Sequence, residues 1–222
     1  MYLSDREMAE AIRTGRLIVD PPTKIGPTSI DLHLDSIKAA RVWDIEKFAE
    51  HNKIHGLRGI ELRIAQINYG MMSLLYLAPP PADEDAPVFR RGEQIVIKPG
   101  GFLLWQTKEV VGTPEKKPKL ICFIDGKSTR ARTGLVVHLT APTIHAGWSG
   151  NVTLEIANLG PFHIVLEEND VIAQITVAQI TSVPLETMEQ FGSVTRGQKD
   201  VGGKAEARQP SRASQKARKR GR

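Results

Sequence analysis

The chain has 222 residues, enough for one sizeable domain with a real core and short extensions. A single cysteine, Cys122, excludes an internal disulfide and a cysteine-rich zinc set, and no apolar run approaches the ~20 residues of a membrane helix. The net charge of +5 is uneven, because residues 203–222 carry eight Lys/Arg and one Glu while the other 202 residues sum to −2.

In chain order, the first element is a helix starting near Leu3-Ser4-Asp5-Arg6-Glu7-Met8. Ser4 and Glu7 have capping-box spacing, Leu3 and Met8 can form a hydrophobic staple, Met8 and Ile12 share a face, and Gly15 supplies a stop. Turns follow at Pro21, Pro22, Gly26 and Pro27, then a half-buried strand in which Ile30, Leu32 and Leu34 alternate with Asp31 and His33. The middle is less regular. Trp43 to Ala49 reads as a short helix, Ile60-Leu62-Ile64 as an alternating strand, and Met71 to Leu77 as an apolar run of either state. Ala78 to Pro87 is an exposed loop with four prolines and three acids. Gln94 to Lys98 and Phe102 to Thr107 read as strands around a Pro99-Gly100-Gly101 turn, and from Leu120 to Ile180 short β-like runs alternate with turn residues. The N-terminal helix is the only well-marked one, and there is no sequence repeat. This pattern predicts an all-β barrel, sandwich or jelly roll. Cys122 lies in the apolar run Leu120 to Ile124 and reads as a small buried hydrophobe. The chain reads as cytoplasmic, with no membrane association and no visible signal peptide. The basic tail is expected to be a disordered, solubilising extension and the one part suited to nucleic acid.

The chemistry concentrates between Gly126 and Glu155. Lys127, Ser128, Thr129, Arg130 and Arg132 form a cluster of cations and hydroxyls that suits an anion such as phosphate. After a β-like run and the turn His145-Ala146-Gly147-Trp148-Ser149-Gly150 comes a strand carrying one carboxylate. There Val152, Leu154 and Ile156 alternate onto a buried face, leaving Asn151, Thr153 and Glu155 on a face that can line a cavity. A carboxylate in that position suits proton transfer, so the stretch predicts a phosphorylated small molecule with chemistry at its far end. A zinc deaminase would need an H-x-E … P-C-x-x-C pattern, which is absent. The six histidines (His33, His51, His55, His138, His145, His163) show no paired ligand spacing.

Four blocks resemble the dCTP deaminase branch of the dUTPase-like superfamily. They are LSDREMAEAIRTGRL with IGPTSIDLHL, KPGGFLLWQTKEVV, GKSTRARTGL, and TAPTIHAGWSGNVTLEIAN followed by VIAQI. The resemblance runs to about Gln198. It implies a mostly β, distorted jelly-roll barrel with an N-terminal helix, assembled as a homotrimer with active sites between subunits. The domain would span residues 1–202, with a C-terminal lid near 188–202, and the tail would span 203–222. The implied reaction is hydrolytic removal of the 4-amino group of dCTP, giving dUTP and ammonia and feeding dTTP synthesis.

By the same resemblance Glu155 is the catalytic general acid/base, with Ser128 and Arg132 holding the triphosphate and organising the reacting end. Lys127 and Thr129 are phosphate contacts, and the Ala141 carbonyl helps to hold the attacking water. His145, Trp148, Gln174 and Gln198 complete the substrate-binding set. Mg²⁺ would ride on the substrate triphosphate, with no zinc and no protein-held metal. Several positions depart from the family pattern. Lys127 replaces an arginine, Arg130 a usual apolar residue, and His145 the aspartate that dUTPases and bifunctional deaminases use against the phosphate chain. In the lid, Phe191 to Gln198 keeps Gly197 and Gln198 but has Val194 for a lysine. The loss at His145 argues against dUTP cleavage. The alternatives are a dUTP diphosphatase or bifunctional enzyme, and a nucleotide-binding trimer with weakened catalysis.

Overall fold

The chain is described from a computed structural model covering residues 1–52, 62, 68–186 and 201. It opens with helix α1 (Asp5–Arg13), whose start is fixed locally. The Ser4 hydroxyl accepts from the Glu7 backbone N–H, and the Glu7 carboxylate accepts from the Ser4 N–H at 2.9 Å, completing the capping box. Leu3 and Met8 are both buried, Ala11 follows them into the core, and Ile12 packs against its edge. Gly15 adopts φ +69°, the left-handed turn that stops the helix.

Strands dominate the rest, as the spacing of apolar and turn residues predicts. One sheet runs β1 (Ile18–Asp20), β7 (Phe102–Gly112), β11 (Ser149–Asn158) and β9 (Leu135–Val137). A second runs β10 (Thr143–Ile144), β8 (Leu120–Gly126), β13 (Val171–Gln179) and β2 (Ile30–His33). A third contains β12 (Ile164–Glu167), β6 (Gln94–Ile97) and β5 (Val88–Arg91), and a ribbon joins β3 (Val42–Trp43) to β4 (Leu77–Ala78). Every ladder is antiparallel. The ladders pack around one core that includes Trp105, Leu103, Leu154, Ile156, Ile124 and Ile175, but among the described residues they do not close into a barrel.

Three further helical segments follow, the first at the short helix expected over Trp43 to Ala49 and the second in the run left open at Met71 to Leu77. α2 (Ile45–His51) starts at Asp44, whose side chain caps Lys47 N–H, so Trp43 belongs to the strand before it. α3 (Tyr69–Tyr76) resolves the ambiguous run as helix, capped by Asn68. Both are started by Asx side chains, Asp44 and Asn68. The single turn α4 (Ser128–Ala131) is built from the donor cluster itself. The expected strand at Ile60-Leu62-Ile64 falls outside the described residues save Leu62. Of the expected lid only Val201 is described; it is buried, and its carbonyl accepts from the Tyr69 hydroxyl at 2.5 Å.

Two backbone devices shape the site. Gly134, at φ +90°, ends the α4 turn where a Cβ would lie 2.2 Å from the Gly160 nitrogen, so the two glycine segments touch. In the β7–β11 ladder, Asn151 pairs with Val110 and Thr153 with Gln106, so β7 has two extra residues there. The Thr107 hydroxyl, which accepts from Val152 N–H, and the Asn151 amide, which donates to the Thr107 and Lys108 carbonyls, tie down this bulge. The irregularity turns Glu109 inward. It is 1% exposed and accepts from the His33 backbone N–H at 2.9 Å, with His33 Nδ1 at 2.7 Å from its other oxygen.

Candidate functional site

The site grows from three neighbouring pieces: the end of β8 with α4, the turn after β9, and the outer face of β11. Along β11 the burial alternates as the sequence predicts, with Val152, Leu154 and Ile156 inward and Glu155 half-buried on the other face. Asn151, expected to share the cavity face, instead serves the β7 bulge through its side-chain amide.

β9 pairs with the C-terminal end of β11 and delivers His138 beside Glu155. His138 donates its backbone N–H to the Glu155 carbonyl at 2.9 Å and takes φ +60° as the chain leaves the strand. Its ring Nδ1 lies 3.0 Å from Glu155 Oε2, at ion-pair distance but off the line of a hydrogen bond. On the other side Nε2 is 2.8 Å from the Ala141 carbonyl oxygen. A carbonyl only accepts, so Nε2 carries a proton. With oxygen atoms facing both ring nitrogens, the site favours the charged imidazolium. Burial of the ring pushes the His138 pKa down, while the Glu155 carboxylate and then the Ala141 and Thr153 carbonyls push it up by more. The net shift is upward from 6.5. The imidazole thus bridges the two groups that the sequence assigns to the attacking water. Sequence reasoning missed His138 because only the strand register, not any spacing motif, brings it to Glu155.

The phosphate-type donors divide into two kinds. Ser128, Thr129 and Arg132 are exposed on α4 and at its C-terminal cap, and Arg132 makes no ion pair among the described residues. The other two cations are engaged within the chain. Arg130 lies 3.7 Å from Asp170, a partly exposed pair of small energetic weight, and Lys127 Nζ lies 2.6 Å from Asp31 Oδ1 and 3.3 Å from Gln174 Oε1.

The remaining predicted residues are scattered. His145 is exposed in the turn before β11, Ala141 is exposed with its carbonyl on His138, and Gln174 is half-buried on β13. Trp148 is 8% exposed and belongs to the core, its ring nitrogen buried. Gln198 lies outside the described residues. Cys122 is buried and its thiol is pushed up to about 12 by that burial, so it is an inert core side chain.

The dCTP deaminase-like family model matches residues 2–180. The chain belongs to that family. A Streptomyces coelicolor protein named dCTP deaminase, dUMP-forming, is 34% identical over 204 residues, covering 90% of this chain and 92% of its own length. A protein of the same name from a Parafrankia strain is 35% identical over 215 residues, covering 96% of this chain and 90% of its own. Among solved structures, the 2'-deoxycytidine 5'-triphosphate deaminase of Agrobacterium tumefaciens aligns with a TM-score of 0.52 and 18% identity, which is a likeness of fold. It covers 81% of this chain, while the chain spans about half (48%) of that structure's length. The matched range includes α4, the turn after β9 and β11. Among the described residues no helix is long and apolar enough to cross a membrane.

Proposed function

We propose that the chain removes the 4-amino group of dCTP by attack of water, with Glu155 as general acid/base. The reading is carried by the convergence of the Glu155 carboxylate and the Ala141 carbonyl on the His138 ring, at 3.0 and 2.8 Å from its two nitrogens. Water bound to the Ala141 carbonyl gives a proton to Glu155 as its oxygen adds to C4. Glu155 passes that proton to N3, then takes the proton of the new C4 hydroxyl and gives it to the departing amine, so that ammonia leaves as the C4 carbonyl closes. For this the imidazole yields the Ala141 carbonyl to water while keeping its hold on the carboxylate. Ser128, Thr129 and Arg132 hold the triphosphate, and Mg²⁺ enters as part of the substrate, on its phosphate oxygens. The catalytic unit is a trimer, in which exposed donors of one subunit face the carboxylate of another.

The product distinguishes two versions of this reaction. With His145 in place of the family aspartate, the turn before β11 offers no carboxylate to activate a water against the phosphate chain, which favours dUTP and ammonia. The names of the relatives favour the second version, in which deamination is followed by hydrolysis to dUMP and pyrophosphate. Incubation of the purified protein with dCTP and Mg²⁺, with products separated by chromatography, decides between them. Ammonia with dUTP is expected. Ammonia with dUMP and pyrophosphate would select the second version, and unchanged dCTP would reject both.

A further inference from the structure

Asn158 ends β11 and is completely buried, 0% exposed. A buried amide needs partners, and both ends of this one have them. Its Nδ2 donates to the Ile97 carbonyl on β6 at 2.8 Å and to the Phe162 carbonyl at 2.6 Å, while its Oδ1 accepts from the Gly160 N–H at 3.0 Å. The first bond ties the side chain to the core. The other two fold the loop between β11 and β12 back over the end of the strand.

That loop is what α4 rests on. Leu159 donates its N–H to the Gly134 carbonyl at 2.8 Å, and Gly134 donates its own to the Ala131 carbonyl at 3.0 Å. A Cβ on Gly160 would lie 1.9 Å from the Thr133 carbonyl oxygen, so the two backbones are in contact. α4 is only four residues long and has no side-chain cap at its start. A helix that short does not hold its shape alone, so its geometry comes from what it packs against. Ser128, Thr129 and Arg132 all stand on this one turn or at its end.

Resting on the dCTP reading, we infer that Asn158 is a positioning residue for the triphosphate. It touches no nucleotide itself; through Gly160 it sets where the α4 donors stand. Glu155 is held separately, paired with Leu104 across the β7–β11 ladder and bonded through its carbonyl to the His138 N–H. Loosening the loop therefore displaces the phosphate-holding donors and leaves the carboxylate in place.

The test compares nucleotides that differ only in phosphate number. Asn158→Ser is too short to reach Phe162 and Gly160 together. By calorimetric titration its Kd for dCTP should rise about tenfold and its Kd for dCMP by no more than about twofold, because the added phosphates are what α4 holds. KM for dCTP should rise with that Kd while kcat changes less. Gly160→Ala keeps Asn158 but pushes directly on Thr133, and should give the same pattern. Met8→Ala, a core truncation in α1, should lower the melting temperature and leave the dCTP-to-dCMP ratio as in wild type. If both loop variants fail to fold, hydrogen exchange on the wild-type protein decides. Saturating dCTP should then slow exchange at the Leu159 and Gly160 N–H groups together with those of α4. An unchanged dCTP-to-dCMP ratio in the loop variants, the same fall in Met8→Ala, or protection confined to α4 would overturn the inference alone. A wild-type protein that does not bind dCTP would overturn the functional reading, and this one with it.

Discussion

His138 Nδ1 stands 3.0 Å from the Glu155 carboxylate, and the two residues are joined a second time by the hydrogen bond from the His138 N–H to the Glu155 carbonyl. The backbone bond keeps the two residues side by side, and the charge of the imidazole that faces the carboxylate depends on pH.

That pair predicts a pH-dependent stability. The His138 pKa is raised in the folded chain above the 6.5 of an unperturbed imidazole. The contribution is therefore fully present below the unfolded value and is lost as pH rises through the folded one. The stability gap between wild type and His138→Asn, from urea melts at several pH values, should hold below pH 6.5, narrow as pH rises from there through the folded pKa, and level off above it. A gap that widens with pH would contradict the assigned charge state.

Glu155→Gln should separate binding from chemistry. The amide keeps the shape of the side chain but cannot take a proton from water, so turnover should fall about 10²–10⁴-fold while dCTP still binds. Arg132→Ala should lower both, since an exposed, uncommitted cation is removed. An ammonia-release assay beside calorimetric titration reads the two quantities. Near wild-type deamination by Glu155→Gln would assign the carboxylate a structural role.

Assembly is testable without substrate. On the proposed reading, donors exposed on α4 of one subunit complete the site around the β11 carboxylate of another, so multi-angle light scattering should give three times the chain mass. An active monomer would contradict the shared site.

The contact of Gly134 with Gly160 predicts a large stability effect from a single methyl. Gly134→Ala places a Cβ 2.2 Å from a backbone nitrogen at φ +90°, and should cost roughly 2–4 kcal/mol, visible as a lower melting temperature. Ala at Gly92, which also has positive φ but nothing within 4 Å, should cost less.

Much of this architecture is legible in the sequence because it is decided locally. The capping box at Ser4 and Glu7, the alternation along β2, and the inward Val152, Leu154 and Ile156 each depend on residues a few positions apart. The helices α2 and α3 are less legible, since their Asx caps lack the periodic faces that advertise a helix. What the sequence hides is settled by strand register. Nothing local to His138 indicates Glu155, nothing local to Lys127 indicates Asp31, and the two-residue surplus in β7 is what diverts Asn151 and buries Glu109. The donor cluster is contiguous in the sequence, but partners from distant strands divide it into engaged and exposed members.

The turn that carries His145 is fastened from both sides. Thr113 takes the Gly147 N–H on its hydroxyl at 2.7 Å and gives its own N–H to the Trp148 carbonyl at 2.8 Å. Gly112 lets the strands come so close that a Cβ there would lie 2.0 Å from that carbonyl. Position 145 is therefore a socket on a rigid mount. Its side chain can be exchanged, histidine for carboxylate or the reverse, without moving the strand that presents Glu155. On the proposed reading, a change of product at this corner of the fold takes one substitution, because the mount already supplies the alignment.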